Sequence, residues 1–369
     1  MRWQFLSIVT SLIMAGSLTM NATAAPAEKK EAVITNALAQ FEPGKTSAEI
    51  KVSGAAKWSY FVYVPKSYTP DRKWPVMFIM SPGGGNPKML MRYIDGAEMN
   101  NWILVGSVQA RNEFNQFDEA IKAMVEDVCK KMPVDLKRMY ASGFSGGARM
   151  SFWLSEEMKS KSFAGVLACG AGGQPDKMSP KTVVFGLCGS NCFNRWDMAC
   201  TLKQVKNDMS RLRFFPGNHV WAEAVYITYA TTWLNACYLK EAPTSNSALV
   251  AEKKKLIAKI QTEIEKETES NPEKAYDWAV CLGMFASSPT AAGNQPMQSL
   301  LKNPKIQLYA AGLKDMDVFV RKFFATDAMD SVNNNGTPAA KREAGRLAKK
   351  YAETGLAATF EKMGEPSVK

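Results

Sequence analysis

Apolar and polar residues alternate along Ala48-Glu49-Ile50-Lys51-Val52 and again along Trp58-Ser59-Tyr60-Phe61-Val62-Tyr63-Val64. A period of two turns one face of an extended chain to a core and the other to water, so both segments predict half-buried strands that open a sheet in antiparallel fashion. The pattern then changes. Pro75-Val76-Met77-Phe78-Ile79-Met80 is apolar throughout, and continuous runs of this kind mark strands covered on both faces, as in parallel sheets. Segments 103–108, 138–142, 163–169, 182–187 and 211–215 repeat the strand signal, while 117–132, 147–159, 199–208 and 222–238 have helical spacing. Strands separated by helices predict βαβ units, hence an α/β fold with a mostly parallel, doubly wound sheet over residues 46–242.

Beyond Ala242-Pro243-Thr244 the strand signal ends. Segments around 248–268, 273–288, 305–327 and 338–362 read as helices, separated by Asn271-Pro272, Ser288-Pro289 and Asn333-Asn334-Asn335-Gly336. Residues 243–369 are therefore expected to form an all-helical C-terminal region, either packed on the sheet domain or acting as a lid or docking module.

The start of the chain has Arg2, an apolar run over 5–20 and a small-residue site at Ala22-Thr23-Ala24. That grammar predicts a signal peptide over 1–24, cleaved after Ala24, and a secreted, periplasmic or cell-envelope destination. The run is shorter than the ~20 residues a membrane span needs. Residues 25–45, rich in Ala, Lys and Glu, read as a lead-in. Export makes disulfides an expectation for some of Cys129, Cys169, Cys188, Cys192, Cys200, Cys237 and Cys281, with at least one free or bonded to another chain because the count is odd. The cluster Cys188, Cys192 and Cys200 contains no histidine and only Asp197 among the acids, so structural thiols or disulfides suit it better than a metal.

The net charge is +11, yet the lysines are scattered among acids and form no basic stripe. This pattern predicts solvated surface and no nucleic-acid partner. A basic exterior favours association with anionic polysaccharide or envelope surfaces. Nothing in the pattern sets an oligomeric state.

Ser145 lies in Gly143-Phe144-Ser145-Gly146-Gly147, between a predicted strand and a predicted helix, and the chain's only histidine, His219, follows the last predicted strand. A lone G-x-S-x-G arises by accident in roughly one chain of this length in ten, so its setting must carry the reading. Here the setting agrees. A serine at a sharp strand-to-helix turn, with a histidine much later, has the chain order of an α/β-hydrolase. Serine is a weak nucleophile until a base takes its proton, and His219 is placed to be that base. The Gly146 N–H at the helix start would face a developing oxyanion, and Gly83 or Gly84, in the glycine loop after the third strand, would supply the second donor. Pro82 has no N–H to offer.

With those residues in place, the sequence resembles exported α/β-hydrolases of the polyhydroxybutyrate depolymerase and feruloyl esterase type. The resemblance covers roughly 58–238 and rests on Tyr60-Phe61-Val62-Tyr63-Val64-Pro65, Trp74-Pro75-Val76-Met77-Phe78-Ile79, Gly143-Phe144-Ser145-Gly146-Gly147-Ala148-Arg149-Met150 and Gly217-Asn218-His219-Val220-Trp221. It implies serine-dependent cleavage of carboxylic esters, often polysaccharide- or polyester-linked, with no metal and no organic cofactor. Two positions depart from the family pattern. Ser81-Pro82 stands where the family has a histidine-glycine pair, and Cys192, in Gly189-Ser190-Asn191-Cys192-Phe193-Asn194, stands where it has the triad aspartate. Asp197, farther along the same loop, is the acid expected here, with Asp176 or a dyad supported by Asn191 as alternatives. The rival reading is a weak or inactive hydrolase fold that binds a partner through its C-terminal helices.

Overall fold

A computed structural model describes residues 41–158, 162–286, 294–325 and 337–367. The expected signal peptide and most of the lead-in lie outside the described residues, as do Ser288-Pro289 and Asn333-Asn334-Asn335-Gly336.

Eight strands form one sheet: β1 (Ile50–Val52), β2 (Ala55–Tyr63), β3 (Trp74–Met80), β4 (Ile103–Ser107), β5 (Val134–Phe144), β6 (Phe163–Cys169), β7 (Val183–Gly189) and β8 (Arg211–Phe215). Their spatial order is β1-β2-β4-β3-β5-β6-β7-β8. β2 is antiparallel to both β1 and β4, and all the other pairings are parallel. Every residue of β3, β4 and β7 is buried, which is why these strands read as unbroken apolar runs rather than as alternation.

On one face of the sheet pack α1 (Pro87–Met91), α2 (Ile94–Asn100) and α6 (Ala224–Lys240). The other face is covered by α3 (Phe117–Lys131), α4 (Gly146–Glu157) and α5 (Arg195–Gln204). α1 and α2 are too short for hydrophobic spacing to predict. The start of α1 is nevertheless coded, since the Asn86 side chain accepts from the Met89 N–H and Pro87 occupies the first turn.

The described C-terminal helices are α7 (Ser247–Ser270), α8 (Pro272–Gly283), α9 (Gln295–Leu300), α10 (Pro304–Phe323), α11 (Pro338–Lys350) and α12 (Leu356–Gly364). The same cap-then-proline device starts three of them, with Asn271, Asn303 and Thr337 as caps. The single helix expected over 338–362 is two, broken around Tyr351 to Gly355.

These helices are not appended to a finished domain. Leu256, Ile260 and Ile264 of α7 share one core with Ile227 and Trp233 of α6, while Phe319, Leu347 and Phe360 share another with Val166, Val184 and Phe214 of the sheet. Polar ties follow the same route. Arg138 of β5, 3% exposed, donates to Glu252 of α7 at 2.6 Å, and Arg213 of β8 donates to Asp277 of α8 at 2.9 Å. Among the described residues, no helix is long and apolar enough to cross a membrane.

Candidate active site

Ser145 sits between β5 and α4 with φ of 54°. A side chain in that region of backbone space costs of order 1–3 kcal/mol and persists only where its surroundings enforce it. Here the Ser145 N–H donates to the Cys169 carbonyl of β6 at 2.8 Å, and the flanking glycines let backbone meet backbone. A Cβ on Gly143 would lie 2.4 Å from the Gly147 carbonyl carbon, and one on Gly147 would lie 2.3 Å from the Met80 oxygen of β3. The glycines of the motif thus allow α4 to start directly over the end of β3, with the serine at the crest.

His219 arrives on the loop after β8. Its Nε2 is 2.9 Å from Ser145 Oγ, and its ring lies between Phe144 and Phe193, with centroids 4.7 and 4.2 Å away. At this separation the imidazole can take the hydroxyl proton as the oxygen attacks. Two backbone bonds clamp its loop to the turn after β7: Ser190 N–H to the Phe215 carbonyl and Asn191 N–H to the Gly217 carbonyl, both 2.8 Å.

That clamp brings Cys192 to the second nitrogen of the ring. Its Sγ is 3.0 Å from His219 Nδ1, and the side chain is fully buried. The Cys188 S–H, together with the His219 ring and the Asn194 N–H, holds the Cys192 thiol well below its ordinary range, against burial acting in the opposite direction. Cys188 moves the other way, pushed up by burial and by its neighbour.

Asp197 does not join this group. α5 begins at Arg195 and carries Asp197 to its outer side, where Oδ2 accepts from Arg149 at 2.7 Å and from the Gly172 N–H at 3.1 Å. Asp176 is exposed, and Asn191 turns its amide toward Asn218 and Arg195. The expected disulfides are also absent: among the described residues no cysteine is joined to another, and the proximity of Cys188 and Cys192 is that of two thiols.

Eight strands in this order, an antiparallel second strand and a serine on the turn from β5 into α4 specify one architecture. This is an α/β-hydrolase fold. No family model matches the sequence, and no curated protein does. Among solved structures, the chain is similar to a substrate-bound fluorophosphonate-binding serine hydrolase of Staphylococcus aureus, with 14% identity and a TM-score of 0.43 over 53% of this chain and 99% of that one. It is also similar to an S-formylglutathione hydrolase of Staphylococcus aureus, with 14% identity and a TM-score of 0.41 over 53% and 98%. A ferulic acid esterase is similar at 16% identity and a TM-score of 0.41 over 52% and 97%.

Around the elbow of this hydrolase fold, the glycine donors differ in availability. Gly146 opens α4, so its N–H has no acceptor within the helix. The Gly84 N–H is spent on the Ser81 carbonyl at 3.1 Å, which removes Gly84 from the pair of candidates. The Gly83 N–H has only a long contact, 3.4 Å, to Ser81 Oγ. A groove of about 530 Å³ runs past Gly146. Asn112 presses on Gly146 so closely that a Cβ there would lie 1.7 Å from its Oδ1, and Arg111, Glu113, Phe117, Arg149, Met150 and Trp153 complete the walls. Asn112 has no motif around it in the sequence.

Proposed function

We propose that the protein is a serine hydrolase of carboxylic esters that works through an acyl-enzyme. Ser145 Oγ attacks the ester carbonyl as its proton passes to His219 Nε2, and the N–H groups of Gly146 and Gly83 receive the oxyanion. Collapse of the tetrahedral adduct breaks the ester C–O bond, and the leaving alcohol takes the proton from His219. Water then attacks the acyl-enzyme by the same route, releasing the acid and restoring Ser145.

The observation that supports this reading is the 2.9 Å approach of His219 Nε2 to a serine held at φ of 54°. Strain of this kind has no evident structural purpose and puts the hydroxyl within reach of a base. A predicted export signal and a +11 charge favour esters on anionic polymers of the cell envelope or its surroundings. A role as a binding module through the C-terminal helices has less support, since those helices are occupied in the cores they share with the sheet.

Ser145→Ala tests the reading. Turnover of short-chain chromogenic esters should fall by a factor of ~10⁴ to 10⁶, and covalent labelling by a fluorophosphonate should disappear, with thermal unfolding unchanged. Activity that survives the substitution would place the chemistry elsewhere.

A further inference from the structure

We propose that Cys192 works as a thiolate that holds His219 in its reactive tautomer, the task an aspartate performs in the esterases this chain resembles, with Arg195 as its buried counter-charge. The proposal rests on the serine-hydrolase reading above. Cys192 is a positioning residue in it, since it acts on the ester only through His219.

The argument begins with one proton. For His219 Nε2 to accept from Ser145 Oγ, the neutral ring must carry its proton on Nδ1, and Nδ1 then needs an acceptor. The atom facing it at 3.0 Å is Cys192 Sγ. A neutral thiol would donate to Nδ1 and leave the ring's N–H on Nε2, aimed at the serine it should deprotonate. A thiolate accepts instead, and the ring takes the tautomer that catalysis requires.

The surroundings of the sulfur fit the charged form. From β7, the neutral Cys188 thiol favours the charged form. From the following turn, the Asn194 N–H points at it at 3.4 Å. From the loop after β6 comes one neighbour that suits a neutral thiol, the Gly170 carbonyl, but it is distant at 3.7 Å against 3.0 Å for His219 Nδ1, and its short bond of 2.8 Å is to the Asn194 side chain. Asp197, the carboxylate on the same helix as Arg195, is bound to Arg149 and Gly172.

Arg195 supplies an independent observation. Its side chain is fully buried, yet its hydrogen bonds go to neutral oxygens: the carbonyls of Ser190 at 2.7 Å, Lys362 at 3.3 Å and Glu365 at 3.0 Å, and the Asn191 amide at 3.4 Å. A guanidinium removed from water needs negative charge nearby. A Cys192 thiolate is the charge that can supply it, whereas the Cys188 thiol stays protonated and the Glu365 carboxylate is engaged by Lys362. Burial lowers the Arg195 pKa to about 10, and a Cys192 thiolate opposes that shift.

The test uses the full chain and three measurements: ester turnover against pH for Cys192→Ser and Cys192→Asp, fluorophosphonate labelling of Ser145, and the ultraviolet absorbance of thiolate. Cys192→Ser should lower turnover at neutral pH by a factor approaching the ~10⁴ typical of a triad acid turned into a neutral group, while Cys192→Asp should restore most of it. Native protein should show a thiolate at neutral pH that is lost on acidification together with activity and is missing from Cys192→Ser. Native-like turnover in Cys192→Ser overturns the proposal, as does equal loss in the serine and aspartate variants when both melt like the native chain. If the variants do not fold, the native titration decides, and absence of a thiolate at neutral pH overturns it. A native chain that neither cleaves esters nor takes the fluorophosphonate refutes the hydrolase reading instead, a failure distinct from these.

Discussion

Replacing Gly147 by alanine asks how strictly reactivity at Ser145 depends on the seating of α4 against β3. The new Cβ would lie 2.3 Å from the Met80 carbonyl oxygen, 2.5 Å from its carbon and 2.9 Å from the Ser81 nitrogen. All three are backbone atoms, so no flexible side chain can move aside. Ordinary contact begins near 3.4 Å, and the first turn of α4 must therefore retreat by about 1 Å, a displacement that typically costs roughly 10² in rate. That turn carries the Gly146 N–H and follows directly on Ser145, whose Oγ is 2.9 Å from His219. Overpacking of this kind also costs about 1–3 kcal/mol of stability, which for a chain of this size lowers Tm by only a few degrees. Gly345→Ala is the control, because a Cβ on Gly345 of α11 meets nothing within 4 Å. The measurements are kcat/KM on a short-chain ester and calorimetric Tm for both variants. The expected result is a roughly hundredfold loss for Gly147→Ala with a small fall in Tm, and native kinetics for Gly345→Ala. Native kcat/KM in Gly147→Ala would refute the argument that backbone proximity at the elbow sets the geometry of attack.

Asp197→Asn should leave kcat/KM within an order of magnitude of native, because its carboxylate serves Arg149 and Gly172, and a loss near the ~10⁴ typical of a triad acid would return it to that role. Glu252→Gln should destabilise the fold by about 3 kcal/mol in urea unfolding, the low end for breaking a buried pair, since Glu252 is itself 18% exposed and Arg138 keeps its bond to Asn235. Truncation before Pro243 should give aggregated protein, since it strips apolar cover from α6 and from the β6 to β8 edge. A soluble truncated chain with full ester turnover would show that the helices are separable after all.

The strands were legible because burial of a strand leaves a local signature, alternation where one face is wet and an unbroken apolar run where neither is. The C-terminal helices were legible as helices, but their place was not, because the residues that bind them to the sheet, such as Arg138 and Arg213, look like ordinary surface charges in one dimension. Asn271-Pro272 illustrates a related limit. Taken as a break between helices, it is also the start of the next one, with Asn271 accepting from the Lys274 N–H at 3.2 Å. The expectation of disulfides rests on a predicted export signal, which speaks to the compartment and says nothing about which sulfurs meet.

At the candidate site, Ser145 and His219 stood out because a strained turn and a late loop each need particular neighbours, and those neighbours are adjacent in the chain. Asp197 lies in the right loop, but a loop position does not give a direction, and the helix starting at Arg195 turns that carboxylate to Arg149 and Gly172. Cys192 counted as a missing acid because a thiol is ordinarily neutral near pH 7, with a reference value of ~8.5. An aspartate is ionised there without help, so a family pattern needs to record only the one residue. A thiol filling the same place needs favourable surroundings, and here they are the Asn194 N–H in the next turn, the neutral Cys188 thiol on β7 and the positive charge of Arg195 at the head of α5. Arg195 in turn is held by carbonyls of Lys362 and Glu365 at the far end of the chain. The charge state of one sulfur thus depends on residues that no comparison at its own position includes, and the last helix of the chain becomes part of the surroundings of His219.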